Sequence, residues 1–593
     1  MKTWRALFGS EQATESTAPL APAIERWNTL SVVGVGSIAD VDDRGAVYLR
    51  DRPVSIEVWF GAGDRWVRGG AADGVRQSRV VGLPLVETRQ RLGDADVVQT
   101  AWADPAGGGR GRVIVSLENE LDIATIAAVI VRPYTALGDG QIENVRIADE
   151  RIVVDGVPLV ELGRVPGDTA GSVDTDRDVP AMLTRLELSN GEVIGDASFA
   201  DADGNASFAA LLPLARGAER LIEIVDGREQ ATVVPAPKDK VVAGWRSHLA
   251  TAAEVDLPAW PKHIQAALMS GLVGSASDAR APLGDAAWEH HDDTLIVTAL
   301  GDMGIYGPAV TVADRLLELV IDGGLDRNHW AALAVGLSTV ADFDAGAKML
   351  ASHGDAVTAV VGHTLSEVRT EALVPRLLRV IQRAHGPEAA QDAAAISGRM
   401  RQPEDGVVLA QHGVAVSGES AQLIQDALHR LPRPMPADAI GLAMVASATI
   451  DRPFEPLVPM RSLAGSTWSW PRNGYGDSPH SRAALLIGMR SLCLTEYPGA
   501  VGSEQLTADS PVDLDIFPGT PKAWLGQNMS FSRLPTSAGR LSAAIRWHGA
   551  RPALLWELSD NSAPFELRCQ RLDPSFRTSE TSGEALLAEP TGF

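Results

Sequence analysis

The sequence predicts a multidomain fold: an N-terminal antiparallel β-sandwich, a central all-helical domain and a small C-terminal β domain. Three observations carry this. From Leu30 to about Pro235, apolar and polar side chains alternate in short, β-branched runs. From Val241 to about Tyr497, apolar side chains recur every three or four residues instead. After Ala508 the alternation returns. A chain of 593 residues and 62.7 kDa is also too long for one hydrophobic core. The expected divisions are a flexible lead-in over 1–25, a sandwich over 26–240, a helical domain over 241–500, and a β domain with a disordered tail over 501–593.

The lead-in is rich in Ala, Thr, Ser and Pro. In the first β region, SIEVWF, VVQTAWA, RVIVSLEN, IAAVIVRPY and RLIEIV read as strands. Turn signals separate such runs, among them Asp155-Gly156 and Asn190-Gly191. Many short strands at near-regular spacing suggest a large antiparallel sandwich. Trp59, Trp66 and Trp102 are expected in its core. SVDTDRDVPAM, residues 172–182, reads as an acidic surface loop.

The helical region opens with WPKHIQAALMSGLVG and closes with SRAALLIGMRSLCLTE. Many of its segments end in Gly or begin with Asp or Ser, the stop and cap signals of helices. No fixed period is present, so a repeat solenoid is not expected. Consecutive short helices without a period suggest either a barrel of helical hairpins or an irregular bundle. VDLDIFPG, GRLSAAIRWHG, PALLWELS and FELRCQRL then read as the strands of the last domain, with the tail starting near Thr578.

Composition narrows the function classes. The net charge of −24 and pI near 4.9 repel phosphate backbones and anionic headgroups, so neither nucleic acid nor a membrane surface is an expected partner. Neutral ligands such as an oligosaccharide or glycan fit better. No secretory leader and no run of about 18 apolar residues is evident, which makes cytoplasmic residence the expectation. The two cysteines, Cys493 and Cys569, lie outside any metal-ligand spacing and read as buried thiols. No cofactor motif appears: Walker A and GxSxG patterns are missing, and Gly34-Val35-Gly36-Ser37 lacks the third glycine of a dinucleotide site. A homo-oligomer is left open.

Several side chains could carry chemistry. Glu289, Asp292 and Asp293 are one helical turn apart, so their charges would repel and raise a pKa toward acid–base use; acids at a helix start are equally explained by the dipole. Adjacent His290 and His291 point about 100° apart on a helix and cannot easily share a metal, so no metal site is expected. Glu404 and Asp405 sit on the Pro/Gly loop GRMRQPEDG, where turn chemistry is the plainer reading. Asp477 and His480, in NGYGDSPHS, precede a helix and also read as turn and cap residues. Trp468 and Trp470, with Tyr475, offer flat faces of the kind that stack on pyranose rings, as does Trp288; packing between helix and β domain explains them as well. Asp342 and Asp344, in ADFDAG, read as a turn between helices.

Two segments carry a family resemblance. The first is AAWEHHDDTLIVTALGDMGIYGPAVTVADRLLELVIDGGLD, residues 286–326; the second is STWSWPRNGYGDSPHSRAALLIGMRSLCLTE, residues 466–496. With the order sandwich, helical array and small β domain, they resemble the six-hairpin glycosidase-like superfamily of bacterial glucoamylase-type hydrolases and glycoside phosphorylases. The resemblance implies an (α/α)6-like barrel. It places Asp292 or Asp293 where an Asp binds the substrate sugar, and His291 where the family often has Arg. Trp288, Glu289, Trp468, Trp470 and His480 then join the sugar site. Glu404 falls where the general acid is sought, with Asp477 as the base. The implied activity is inverting glycoside hydrolysis of glucosidic oligosaccharides by paired carboxylates at the barrel mouth. The alternative is a non-catalytic sugar-binding or protein-assembly relative, favoured by a helical region shorter than catalytic members carry.

Overall fold

The computed structural model describes residues 27–590 except 51, 63–64, 69–73, 108–109, 136–137, 174–177, 185–197, 226–233, 259, 261, 278–289, 368–372, 391–411, 415–421, 423, 425–440, 446–447, 449–477 and 500–505. They form two compact units, one taking the described residues up to Trp245 and the other those from Arg246 on. Helix α2 (Lys238–Leu249) carries the boundary. Among the described residues, no helix is long and apolar enough to cross a membrane.

The first unit is an antiparallel sandwich. One sheet has the order Trp27–Val32, Gly36–Asp42, Val47–Leu49, Ser55–Ala62, Thr125–Arg132, Ser207–Leu214, Asp168–Ser172, with Arg65–Arg68 paired to Ser55–Ala62. The other runs from Ser198–Ala200 through Asn144–Ala148, Arg151–Val154, Val157–Glu161, Glu219–Ile224, Arg110–Asn119, Ala95–Gly107 and Leu85–Leu92 to Val75–Arg79. A single core takes Phe60, Val129 and Phe208 from the first sheet and Val113, Val115 and Ile222 from the second. Each such large side chain contributes about 1.5–3 kcal/mol by leaving water. The Asp155-Gly156 signal is a tight hairpin turn: both residues have positive φ, 51° and 78°, as a two-residue turn between right-twisted strands requires.

The tryptophans are buried, but not where expected. Trp59 stands between Val58 and Phe60, so the two-residue period of the strand sends it to the other face. There Trp59 and Trp66 pack with Val179 and Leu183 of helix α1 (Val179–Thr184). Trp102 likewise alternates with Ala101 and Ala103, which face the core. Residues 179–182, read as surface loop, belong to α1, because Asp178 is buried and caps that helix through the Ala181 N–H at 3.0 Å. Asp178 and Glu57 also hold the fully buried Arg132, at 2.6 and 2.8 Å.

The second unit begins with α3 (Lys262–Ala276), α4 (His290–Asp302), α5 (Tyr306–Ile321), α6 (Trp330–Val340), α7 (Asp344–Ser352), α8 (Gly354–Glu367) and α9 (Val374–His385); α10 (Pro479–Cys493) is the last helix. Side-chain contacts fix their directions. Gly336 approaches Thr294 and Val297 while Thr339 approaches Gly301, so α4 and α6 run parallel. Arg490 pairs with Asp302 near the C-terminal ends of α10 and α4, which pack together and are parallel too. Thr364, late in α8, reaches the Trp330 carbonyl at the start of α6, and His385, at the end of α9, reaches Gly354 at the start of α8. Hence α8 is reversed and α9 again parallel to α6. Gln265, early in α3, contacts Met303 just past α4, so α3 is reversed. The array thus runs α4, α6, α9 and α10 one way and α3 and α8 the other. It depends on close helix approach at Gly301, where an added Cβ would lie 2.0 Å from Thr339 Oγ1.

Two sheets complete this unit. One has five strands in the order Glu254–Asp256, Met529–Thr536, Gly539–His548, Arg551–Ser559, Ser582–Leu586. The other has four, Leu494–Pro498, Val512–Ile516, Phe565–Cys569 and Asp573–Thr578, with a parallel pair between the middle two. The tail beyond Thr578, expected to be disordered, supplies Ser582–Leu586 as an edge strand, anchored by Leu587 N–H to the Pro552 carbonyl at 2.9 Å. Cys493 and Cys569 are buried free thiols, and burial pushes both pKa values up.

Candidate functional site

The parallel helices give the helical part of the second unit two distinct ends. Because α4 and α10 start at the same end, the first turns of both, residues 290–293 and 478–481, lie on one side. Both turns belong to the two segments singled out in the sequence, 286–326 and 466–496. Helix N-termini present unpaired backbone N–H groups and a positive dipole end there. Ser478 satisfies one, accepting from the Ser481 N–H at 3.1 Å. His291 and Asp292 lie on the first turn of α4, and His480 is half-buried on the first turn of α10. Asp293 is buried and ion-paired with Arg315 of α5 at 2.8 Å. One turn in, Thr294 Oγ1 meets the buried His412 Nε2 at 3.2 Å. Trp288, Glu289, Glu404, Trp468, Trp470 and Asp477 lie outside the described residues.

At the opposite end, a cavity of about 290 Å³ opens beside the C-terminal turns of α4 and α10, with α9 and the turn at 535–540 around it. Its lining includes Asp302, Asp342, Glu496 and Asp560, together with Arg376, Arg379, Arg383, Arg490 and Arg540. Cations are favoured beside helix C-termini. Arg490 lies between two buried carboxylates, with Nε 3.4 Å from Asp302 and Nη2 2.5 Å from Glu496, and it also donates to the Pro535 carbonyl at 3.1 Å. Glu496 accepts the Ser537 N–H at 2.9 Å. Arg383 pairs with Asp342 at 3.0 Å. Arg379 donates to the Ser537 carbonyl and approaches Asp342 at 3.5 Å. Tyr306 stacks on Phe343 along the wall, with ring centroids 4.7 Å apart.

The two buried carboxylates are driven in opposite directions. Burial raises the pKa of Asp302, against the charges of Arg490 and Arg376. Burial pushes Glu496 up as well, but Arg490, Arg376 and the Ser537 hydrogen bonds outweigh it and hold Glu496 near about 2. Sequence reading missed this cluster; Asp342 does lie in the expected turn between helices, and from there it also lines the cavity. A signal was present: Arg376, Arg379 and Arg383 fall at helical spacing on one face of α9.

No family model matches the chain, and no curated protein matches it. Solved structures do. A family GH92 α-mannosidase from Bacteroides thetaiotaomicron is 10% identical at a TM-score of 0.35, covering 83% of this chain and 86% of its own. The same enzyme with mannoimidazole bound gives 10%, 0.36, 93% and 88%. A candidate kojibiose phosphorylase from the human microbiome gives 6%, 0.44, 94% and 96%. Identities of 6–10% at TM-scores below 0.5 transfer no activity from these enzymes.

Proposed function

We propose that this chain is a carbohydrate-active protein that binds its glycan at the end of the helical array where α4 and α10 begin. The observation that supports the reading is the parallel course of those two helices, joined at their far ends by Arg490 and Asp302. It brings residues 290–293 and 478–480 to the same end, although they are distant in sequence. Donors from two helix starts and the half-buried His480 suit the hydroxyl groups of a neutral sugar. Trp288, Trp468 and Trp470 would supply stacking faces, and Glu289, His291, Asp292 and Asp293 polar contacts.

The finer reading is inverting glycoside hydrolysis, with Glu404 as general acid and Asp477 as general base. That chemistry needs two carboxyl groups roughly 6.5–9.5 Å apart, one protonated and one ionised, with a water between the base and the anomeric carbon. The test is a screen of α-glucosides, mannosides and short oligosaccharides, scoring released reducing sugar and its anomeric form by NMR. Turnover that inverts configuration, and that falls at least about 100-fold in Glu404→Gln and in Asp477→Asn, supports the assignment. Retention of configuration, or full activity in both variants, overturns it. Saturable glycan binding without turnover in the wild-type chain supports the non-catalytic alternative.

A further inference from the structure

We propose that the arginine-lined cavity at the C-terminal ends of α4 and α10 is a binding site for a phosphate group, distinct from the proposed sugar site at the other end of these helices. Charge is the first argument. Five guanidinium groups line the cavity against four carboxylates, Asp302, Asp342, Glu496 and Asp560, leaving one positive charge in excess. This surplus stands inside a chain whose net charge is −24.

Hydrogen bonding is the second argument. Arg490 is taken up by Asp302, Glu496 and the Pro535 carbonyl, and Arg383 by Asp342. Arg376 forms no ion pair among the described residues, although its charge is felt by both Asp302 and Glu496. Arg379 is only 9% exposed, and its Nε and Nη2 have no acceptor among the described residues. Buried donors are nearly always satisfied, and a guanidinium offers five N–H groups and no acceptor. The helix C-termini explain why cations collect at this end; they do not supply acceptors to Nε and Nη2 of Arg379.

Size and chemistry choose the ligand. A cavity of about 290 Å³ admits an oxyanion with a small organic group. Phosphate presents several acceptor oxygens and more than one negative charge, which matches bidentate guanidinium geometry. Tyr306, stacked on Phe343, and the Ser338 and Thr339 pair in the lining leave room for a polar substituent such as a sugar ring. The shared chemistry is the phosphate group; its source is free phosphate or a phosphorylated sugar.

Isothermal titration of the full chain in phosphate-free buffer at constant ionic strength tests this, with inorganic phosphate, a hexose 6-phosphate and chloride as probes. Saturable binding of phosphate or the hexose phosphate, absent with chloride, is expected, and the tighter of the two identifies the source. Arg376→Gln should weaken that binding about tenfold while lowering the ligand-free unfolding midpoint only modestly, because Arg376 acts on Asp302 and Glu496 through its charge and forms no ion pair among the described residues. Arg379→Gln serves as second variant, its folding checked by circular dichroism. No saturable binding by the wild-type chain means the cavity holds water only and overturns the proposal. Binding that survives Arg376→Gln and Arg379→Gln but is lost in Asp477→Asn places phosphate at the other end and also overturns it.

Discussion

Replacing Arg490 with methionine isolates the contribution of the buried charge cluster. The methionine chain fills much of the same space but leaves Asp302 and Glu496 buried without their shared partner. Removing one member of a buried pair typically costs about 3–5 kcal/mol. The carboxylates give an independent figure. Glu496 is held near 2 against an ordinary 4.5, which at ~1.4 kcal/mol per pH unit is worth about 3.5 kcal/mol, the largest share of it from Arg490 and the rest from Arg376 and Ser537. The sign follows from that depression. A carboxylate held low stabilises the fold fully above its unfolded pKa, and that stability drains away as pH falls from 4.5 toward 2. Arg490→Met should therefore lose about 3 kcal/mol at pH 7, and the deficit should shrink at pH 3.5, where an unpartnered Glu496 takes up a proton. Urea unfolding followed by tryptophan fluorescence at both pH values measures it. A deficit below about 1 kcal/mol at pH 7, or one equal at the two pH values, refutes the reasoning.

Other perturbations test the remaining physical arguments. Burial pushes Asp42 up to about 7, with Asp43 adding to the effect, so the fold loses stability as pH rises from about 4 through 7; Asp42→Asn should flatten that loss and be more stable than the wild type at pH 8 by on the order of 2 kcal/mol, read from urea midpoints across the range. Arg132→Met strands Glu57 and Asp178 inside the first unit and should cost about 3–5 kcal/mol in the same assay, whereas a cost near zero would mean the triad is dispensable. Gly301→Ala forces a methyl group against Thr339 and should cost about 1–3 kcal/mol despite the gain in helix propensity; adding Thr339→Ala should recover most of it, and a Gly301→Ala chain more stable than wild type would show that α4 and α6 can part.

The fold was legible where local pattern decides it. Short β-branched apolar runs marked the strands around Val113–Leu117 and Thr125–Arg132, and the Asp155-Gly156 pair marked a turn whose φ values only such residues accept readily. The three- and four-residue spacing found the helices. Pattern failed where a second layer intervenes. Trp59 is as apolar as its neighbours, so nothing in the run SIEVWF says that a helix built from 179–184 covers the outer face. Ser582–Leu586 looks unstructured alone and becomes a strand because Arg551–Ser559 offers an open edge. The charged cavity was illegible for a related reason: Asp302, Asp342, Arg379, Arg490 and Glu496 come from separate elements, and each alone reads as an ordinary helix-end or turn residue. Only the parallel course of the helices makes them neighbours.

The short strand Glu254–Asp256 has a consequence for how the chain is made. It precedes nearly all the helices, yet its partner is Met529–Thr536, with Val255 set against Phe531. Arg533 reinforces the join, donating to the Ala250 and Ala252 carbonyls at 2.8 and 2.9 Å. On the ribosome, the helices between these strands emerge first and must wait. Domains generally fold in the order of their synthesis, and distant pairings form slowly. The first unit can settle early, while the second stays unlatched until residues 529–536 clear the exit tunnel. Truncation just before residue 529 should therefore leave a helical array with an unpaired edge, prone to aggregation and to capture by chaperones.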